Sequence, residues 1–187
     1  MRNLIVTENI TIDGVIDASE NWFSPAGSEG VDHSDQIAAI AEQREAADAF
    51  LTGRVTFEQM RSYWPKQVGH DATGVAEYLN RVPKYVVSST LDDPAWEPTT
   101  VLPGPLEDEI AALKAAPGAD IVTTGSITLV HDLVAKGLVD EYHLFVYPVV
   151  VGRGGRLFED ATAVPPLELV ESRAFRSGVV LLRYRVR

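Results

Sequence analysis

The chain has 187 residues, 27 Asp and Glu against 16 Lys and Arg, a net charge of −11 and no cysteine. A chain of this length buries roughly 70% of the surface its unfolded form exposes, so one core forms without metal or disulfide, and the missing cysteines exclude thiol catalysis, Fe–S clusters and Cys-based zinc sites together. The negative charge repels a phosphate backbone and the basic residues form no dense block, which argues against a nucleic-acid partner.

The longest apolar runs, such as residues 144–152, fall well short of the roughly 20 residues of a membrane-spanning helix. The polar residues Thr7, Glu8 and Asn9 interrupt the opening segment, so it reads as no secretory signal. The expectation is a cytoplasmic chain with no membrane partner, organised as one domain over residues 1–187.

Residues 3–12 alternate and are rich in β-branched side chains, which predicts a strand closed by the Asp13-Gly14 turn. Residues 15–31 carry Gly and Pro with Trp22 and Phe23, too irregular for a helix; loops of this length in compact domains are disproportionately functional. Ser34 or Asp32 can cap a helix through Gln36, Ile37, Ile40, Ala41 and Arg44 that ends near Asp48. A short apolar strand over residues 49–52 meets Gly53, a helix follows over residues 56–63, and Pro65 stops it.

A helix over residues 75–80 then leads to a strand over residues 84–88, and residues 99–102 form a further short strand in a Pro-rich loop. Residues 106–115 form a helix closed by Pro117-Gly118. Residues 121–124 form a strand, Gly125-Ser126 a turn, and residues 127–136 a helix with Leu129, Val130, Leu133 and Val134 on one face. A long strand over residues 141–151, a glycine loop at 152–155 and a hairpin of residues 167–176 and 179–186 complete the chain. Strand and helix alternating before a terminal hairpin predict an α/β layered domain, mainly parallel with an antiparallel edge.

A helix N-terminus directly after a strand presents unpaired N–H groups and a positive dipole, and glycine there lets an anion approach. Two places fit. In Thr52-Gly53-Arg54-Val55-Thr56, Arg54 adds a fork of donors and Thr56 a hydroxyl; in Thr123-Thr124-Gly125-Ser126-Ile127 the pattern recurs without a cation. Ser88, Ser89 and Thr90 place three hydroxyls at another strand end. Each alone reads sooner as a capped turn than as a ligand site, but ligands of open α/β sheets bind at strand C-termini, so three polar strand ends reinforce one another.

The run Gly152-Arg153-Gly154-Gly155-Arg156 fails the dinucleotide fingerprint because Leu157 occupies its third glycine position, and it reads as a flexible turn or an anion-holding loop. His33, His70, His131 and His143 share no metal-ligand spacing, so no metal site is expected. Trp22 and Phe23 either cap the core or line a flat-ring pocket. Arg183, Arg185 and Arg187 fall on one strand face, solvated or paired with acids. Asp13, Asp32, Asp35 and Glu58 are the candidate acids and bases.

These residues resemble the dihydrofolate-reductase-like family that includes the C-terminal reductase domain of the bifunctional riboflavin-biosynthesis deaminase/reductase. The resemblance covers nearly the whole chain and rests on three runs. The first is Ala47-Asp48-Ala49-Phe50-Leu51-Thr52-Gly53-Arg54-Val55-Thr56-Phe57-Glu58 with Tyr63-Trp64-Pro65. The second is Gly125-Ser126 followed by the helix to Gly137-Leu138-Val139-Asp140-Glu141. The third is Pro148-Val149-Val150-Val151-Gly152-Arg153-Gly154 with Leu157-Phe158 behind it.

The resemblance implies a three-layer dihydrofolate-reductase-like fold and a homodimeric reductase that binds NADPH across the strand ends. It assigns Gly53, Arg54 and Thr56 to the phosphate turn, Ser88 and Ser89 to the adenosine 2′-phosphate, and Thr124, Gly125, Ser126 and Ile127 to the pyrophosphate. Val15 and Ile16 would touch the nicotinamide, Trp22 would lie in the covering loop, and Asp35 or Asp32 would match the proton donor, so Trp22 and Asp35 stand as the catalytic candidates.

The implied activity is hydride transfer to a small heterocyclic or ribosylamino-pyrimidine substrate, such as 5-amino-6-(5-phosphoribosylamino)uracil. The alternatives are a pterin or dihydrofolate-type reductase and a non-catalytic nucleotide-binding dimer. The sequence departs from the family where the usual Gly-Gly reads Gly125-Ser126, and it has no cysteine for a zinc deaminase.

Overall fold

A computed structural model describes residues 1–23, 30–159 and 166–187. The proposed loop at 15–31 therefore lies outside the described residues at 24–29. The described chain builds one eight-stranded sheet in the order β4-β3-β2-β5-β1-β6-β8-β7. The strands are β1 (Leu4–Thr11), β2 (Ala47–Gly53), β3 (Lys84–Val87), β4 (Thr99–Leu102), β5 (Asp120–Thr123), β6 (Glu141–Tyr147), β7 (Leu167–Ala174) and β8 (Val180–Val186). Strands β1 to β6 pair in parallel, whereas β8 runs antiparallel between β6 and the edge strand β7.

Five helices cover the faces: α1 (Ser34–Ala46), α2 (Arg54–Tyr63), α3 (Val75–Arg81), α4 (Leu106–Ala115) and α5 (Ile127–Ala135). Successive side chains of a strand point to opposite faces. Leu4, Val6 and Ile10 of β1 accordingly join the core formed with Ile110 and Leu113 of α4 and Leu129, Val130 and Leu133 of α5. Ile5 packs on the other side with Ala47 and Val122, where α1 sends Ala39 against Phe145 and Leu181. The helices α2 and α3 bury Phe57, Tyr78 and Leu79 against Phe50, Val86 and Trp96. This is the three-layer, mainly parallel architecture with an antiparallel hairpin that the resemblance implied.

Several boundaries differ from expectation for local reasons. β6 ends at Tyr147 rather than at residue 151, because Pro148 lacks the N–H a ladder needs and Val149 turns its carbonyl to the N–H of Ile12. Helix α1 runs into β2 with no linker, since Ala47 is already extended. Helix α2 begins two residues early, at Arg54, because Gly53 serves as an extended N-cap directly at the strand end.

The last carbonyls of a helix need outside donors, and Lys84, fully buried at the start of β3, supplies them for α3. Its Nζ donates to Leu79 O at 2.8 Å and Val82 O at 3.1 Å and sits 4.6 Å from the centre of the Trp96 ring. Burial pulls this amine down to about 8. The arginines of β8 are paired: Arg183 and Arg185 both reach the buried Glu141 carboxylate, beside His143, and Arg187 reaches Glu168. No helix among the described residues is long and apolar enough to cross a membrane.

Candidate active-site cleft

Parallel pairing fixes where the strand ends lie. Thr11 is level with Tyr147, Gly53 with Val87, and both Val6 and Leu51 with Thr123. The C-terminal ends of β1, β2, β3, β5 and β6 therefore share one edge of the sheet. There a cleft of about 900 Å³ opens, walled by α1, α2 and α3, by the β5–α5 turn and by the loop after β1.

The junctions β2–α2 and β5–α5 meet at this edge. An added Cβ at Gly53 would run into Ser126 Oγ and lie 3.2 Å from Ser126 Cβ, so a side chain there would turn the serine away and press the two turns apart. Gly125 has φ +76 and its peptide bond to Ser126 is cis; a side chain at Gly125 would press on Thr56. The hydroxyls of Thr52 and Thr123 each lie 3.4 Å from Gly125 O. Neither α2 nor α5 carries a side-chain cap, so their first-turn N–H groups and positive dipole ends face a shared space.

Of the residues expected to hold a cofactor, Ile16, Thr56, Thr124, Gly125, Ser126 and Ile127 line the cleft, as does Trp22. Gly53 lies just behind its wall. Arg54 is exposed and pairs with Glu58 one turn on at 3.0 Å, a surface pair of low worth that leaves the guanidinium available. Val15 is fully buried and bridges to Arg156 instead of facing the cleft. Ser88 and Ser89 are not among the lining residues, and Ser88 Oγ accepts the N–H groups of Thr90 and Leu91.

Asp35 also lies off the cleft. One of its carboxylate oxygens accepts the Gln36 N–H and the other the Arg176 N–H, so it ties the start of α1 to the terminal hairpin. Asp32 is held well below the ordinary carboxylate range by the Ser34 hydroxyl and N–H and by Arg176. Asp13 is lowered too, first by the Thr11 hydroxyl, and accepts the Gly152 N–H. The glycine loop is thereby fastened: Arg156 donates to Asp13 O and Arg153 pairs with Glu20. Trp22 donates its indole N–H to Asp17 O at 2.7 Å and meets Tyr147 and Phe23 edge to face; of these rings Trp22 and Phe23 line the cleft.

Sequence reasoning missed Glu8. It is buried in the cleft wall, accepts the Gly125 N–H at 3.0 Å through Oε1, and places Oε2 3.5 Å from Thr124 Oγ1. Burial pushes its carboxyl from 4.5 to about 8, against the lowering effect of those contacts. The signal was present as an acid in the alternating series Leu4, Val6, Glu8, Ile10, whose other members are core. Arg44 and Tyr78 also line the cleft, although their sequence positions read only as places in two predicted helices.

The family model of the RibD C-terminal domain matches residues 2–181. Protein YyaP of Bacillus subtilis (strain 168) is 31% identical, over 98% of this chain and 94% of its own length. A solved protein of Shewanella sp. PV-4, assigned by name to riboflavin biosynthesis, superposes with a TM-score of 0.72 at 19% identity and 99% coverage of each chain. The diaminohydroxyphosphoribosylaminopyrimidine deaminase/5-amino-6-(5-phosphoribosylamino)uracil reductase of Thermotoga maritima superposes with a TM-score of 0.64 at 13% identity, over 100% of this chain and 57% of its own. These structural likenesses carry the fold; the sequence match carries the family.

Two outcomes follow from the cleft. Below pH 4.5 Glu8 is neutral both folded and unfolded; between 4.5 and about 8 only the folded chain keeps the proton. Glu8 therefore makes stability fall as pH rises through that window. Glu8→Gln should melt close to the wild type at the acidic end and several degrees higher at the alkaline end, by calorimetry; a pH-independent difference would mean that Glu8 does not titrate there. Gly53→Ala should lose about 1–3 kcal/mol to overpacking, and adding Ser126→Gly should recover part of it in denaturant titrations. No recovery would show that the two turns do not contact each other.

Proposed function

The chain belongs to the RibD C-terminal domain family, and on that premise we propose that it is an NADPH-dependent reductase of a small heterocyclic or ribosylamino-pyrimidine substrate. One observation carries the reading: two uncapped helix N-termini, of α2 and α5, meet across the Gly53–Ser126 contact at the mouth of a single large cleft.

The residues present fit a dinucleotide. A pyrophosphate needs amide donors without side chains in the way; the first turns of α2 and α5 carry such donors, Gly53 and Gly125 keep the approach to them open, and Arg54 stands at the first position of α2 with only an exposed partner. When bound, NADPH supplies the hydride.

The chain itself supports the rest of the reduction. Trp22 and Phe23 give an aromatic wall and Ile16 an apolar one, which position planar rings and exclude water. Saturating a carbon–nitrogen or carbon–oxygen double bond also consumes a proton. Glu8 holds one near neutral pH on Oε2, since Oε1 is engaged by the Gly125 N–H. We place Glu8, rather than Asp35, as the acid of the reaction, because it faces the cleft and Asp35 does not.

The name of the Thermotoga maritima relative supports 5-amino-6-(5-phosphoribosylamino)uracil as one substrate to offer, and a dihydropterin is the other. The exposed apolar side chains Leu167, Leu169 and Val170 on the edge strand β7 support a homodimer.

Arg54→Ala should weaken NADPH binding about tenfold by calorimetry, and the wild type should consume NADPH, followed by absorbance, when given one of those two substrates. Unchanged affinity removes Arg54 from the site; NADPH binding with neither substrate reduced favours the non-catalytic dimer. Light scattering should give twice the chain mass, and a monomer would discard the pairing of β7.

A further inference from the structure

Buried polar side chains nearly always find partners. Among the described residues, two solvent-shielded side-chain atoms have none, Arg44 Nη1 and Tyr78 OH, and both residues line the cleft. Arg44 comes from α1 and Tyr78 from α3, two helices that wall the same cleft. They are close enough for the guanidinium to draw the phenol's pKa down against the burial that raises it to about 12. Arg44 is anchored, since Nη2 donates to Thr73 O at 2.8 Å. Tyr78 is buried with 9% of its surface exposed.

Arg44 Nη1 can only donate and the Tyr78 hydroxyl can donate or accept, and neither has a partner. The nearby acid Asp71 feels the guanidinium, but its oxygens accept from the Thr73 N–H and hydroxyl and the Ala76 N–H. Glu45 and Glu77 also act on the guanidinium, while the side chains packed about Tyr78 are apolar: Phe50, Met60, Trp64 and Leu79, which line the cleft too. A cation with a spare N–H beside a neutral phenol suits two oxygens sharing one negative charge. A phosphate dianion would leave a second charge in this apolar setting, and desolvating an unpaired charge is expensive.

We propose that Arg44 Nη1 and Tyr78 OH form a carboxylate subsite, and that the cleft accepts as a substrate, besides the two compounds offered above, a planar ring compound bearing a carboxylate that seats on these two donors. The proposal rests on the reductase reading for the word substrate and on the two unpartnered donors for the site. Arg44 donates to one carboxylate oxygen and Tyr78 to the other, the ring lies along Met60 and Trp64, and the opposite end of the cleft is left to the dinucleotide.

The test is calorimetric binding of three matched probes, 2-naphthoate, 2-naphthamide and 2-naphthyl phosphate, to the wild type, Arg44→Met and Tyr78→Phe, with NADPH binding measured on each. The wild type should bind the carboxylate at least tenfold more tightly than the amide and more tightly than the phosphate. Arg44→Met should erase that preference, and Tyr78→Phe, which keeps the ring, should weaken naphthoate about threefold or more without changing the amide. NADPH affinity should be unchanged in both variants.

Equal binding of the three probes, failure of all three to bind, or a preference that survives Arg44→Met overturns the carboxylate subsite. A phosphate preference lost in Arg44→Met overturns it in favour of an anion site of higher charge. Loss of NADPH binding by the wild type overturns the reductase reading instead, and a naphthoate preference that persists there leaves the subsite standing.

Discussion

The approach of Gly53 to Ser126 is the contact on which the rest of the site depends. Two parallel neighbours, β2 and β5, end level with each other, and each leads straight into a helix. Their turns sit so close that a single methyl at position 53 would collide with the serine. Because they touch, the N-termini of α2 and α5 share one space, and donors that would otherwise serve two separate capped turns serve a single cleft.

The distribution of charge follows the same division. Away from the cleft the cations are committed: Arg2 to Asp48, Arg183 and Arg185 to Glu141, and Arg176 to Asp32. Within it the polar groups are held in states they would not adopt in water. Glu8 keeps its proton, and Arg44 Nη1 and the Tyr78 hydroxyl are shielded from solvent without a hydrogen-bond partner. A fold that satisfies its polar groups elsewhere and leaves them unsatisfied at one place spends stability where a ligand is to bind. The acidic chain thus presents a locally donor-rich cavity, which the net charge of −11 conceals.

The element order was legible from periodicity and glycine and proline punctuation. Continuous apolar runs such as Ala49 to Thr52 announce a strand covered on both faces, and the strand-glycine-helix pattern at Gly53 and Gly125 announces the junctions that line the cleft. Position along the chain does not show where a hydroxyl or carboxylate finds its partner. Ser88 turns back to its own loop and Asp35 to its own helix and the hairpin, since short polar side chains satisfy nearby backbone first.

What the amino-acid sequence determined by itself was local: which segments are strands and helices, where glycine opens a turn, and which chemistries lack their residues. Tertiary structure alone decided the neighbourhood of Glu8, Arg44 and Tyr78. Their proton affinity and unmet hydrogen bonds arise from strands and helices far apart in the chain, α1 with α3 and β1 with the β5–α5 turn. Desolvation belongs to the assembled surroundings of a group, so no pattern along the chain records it.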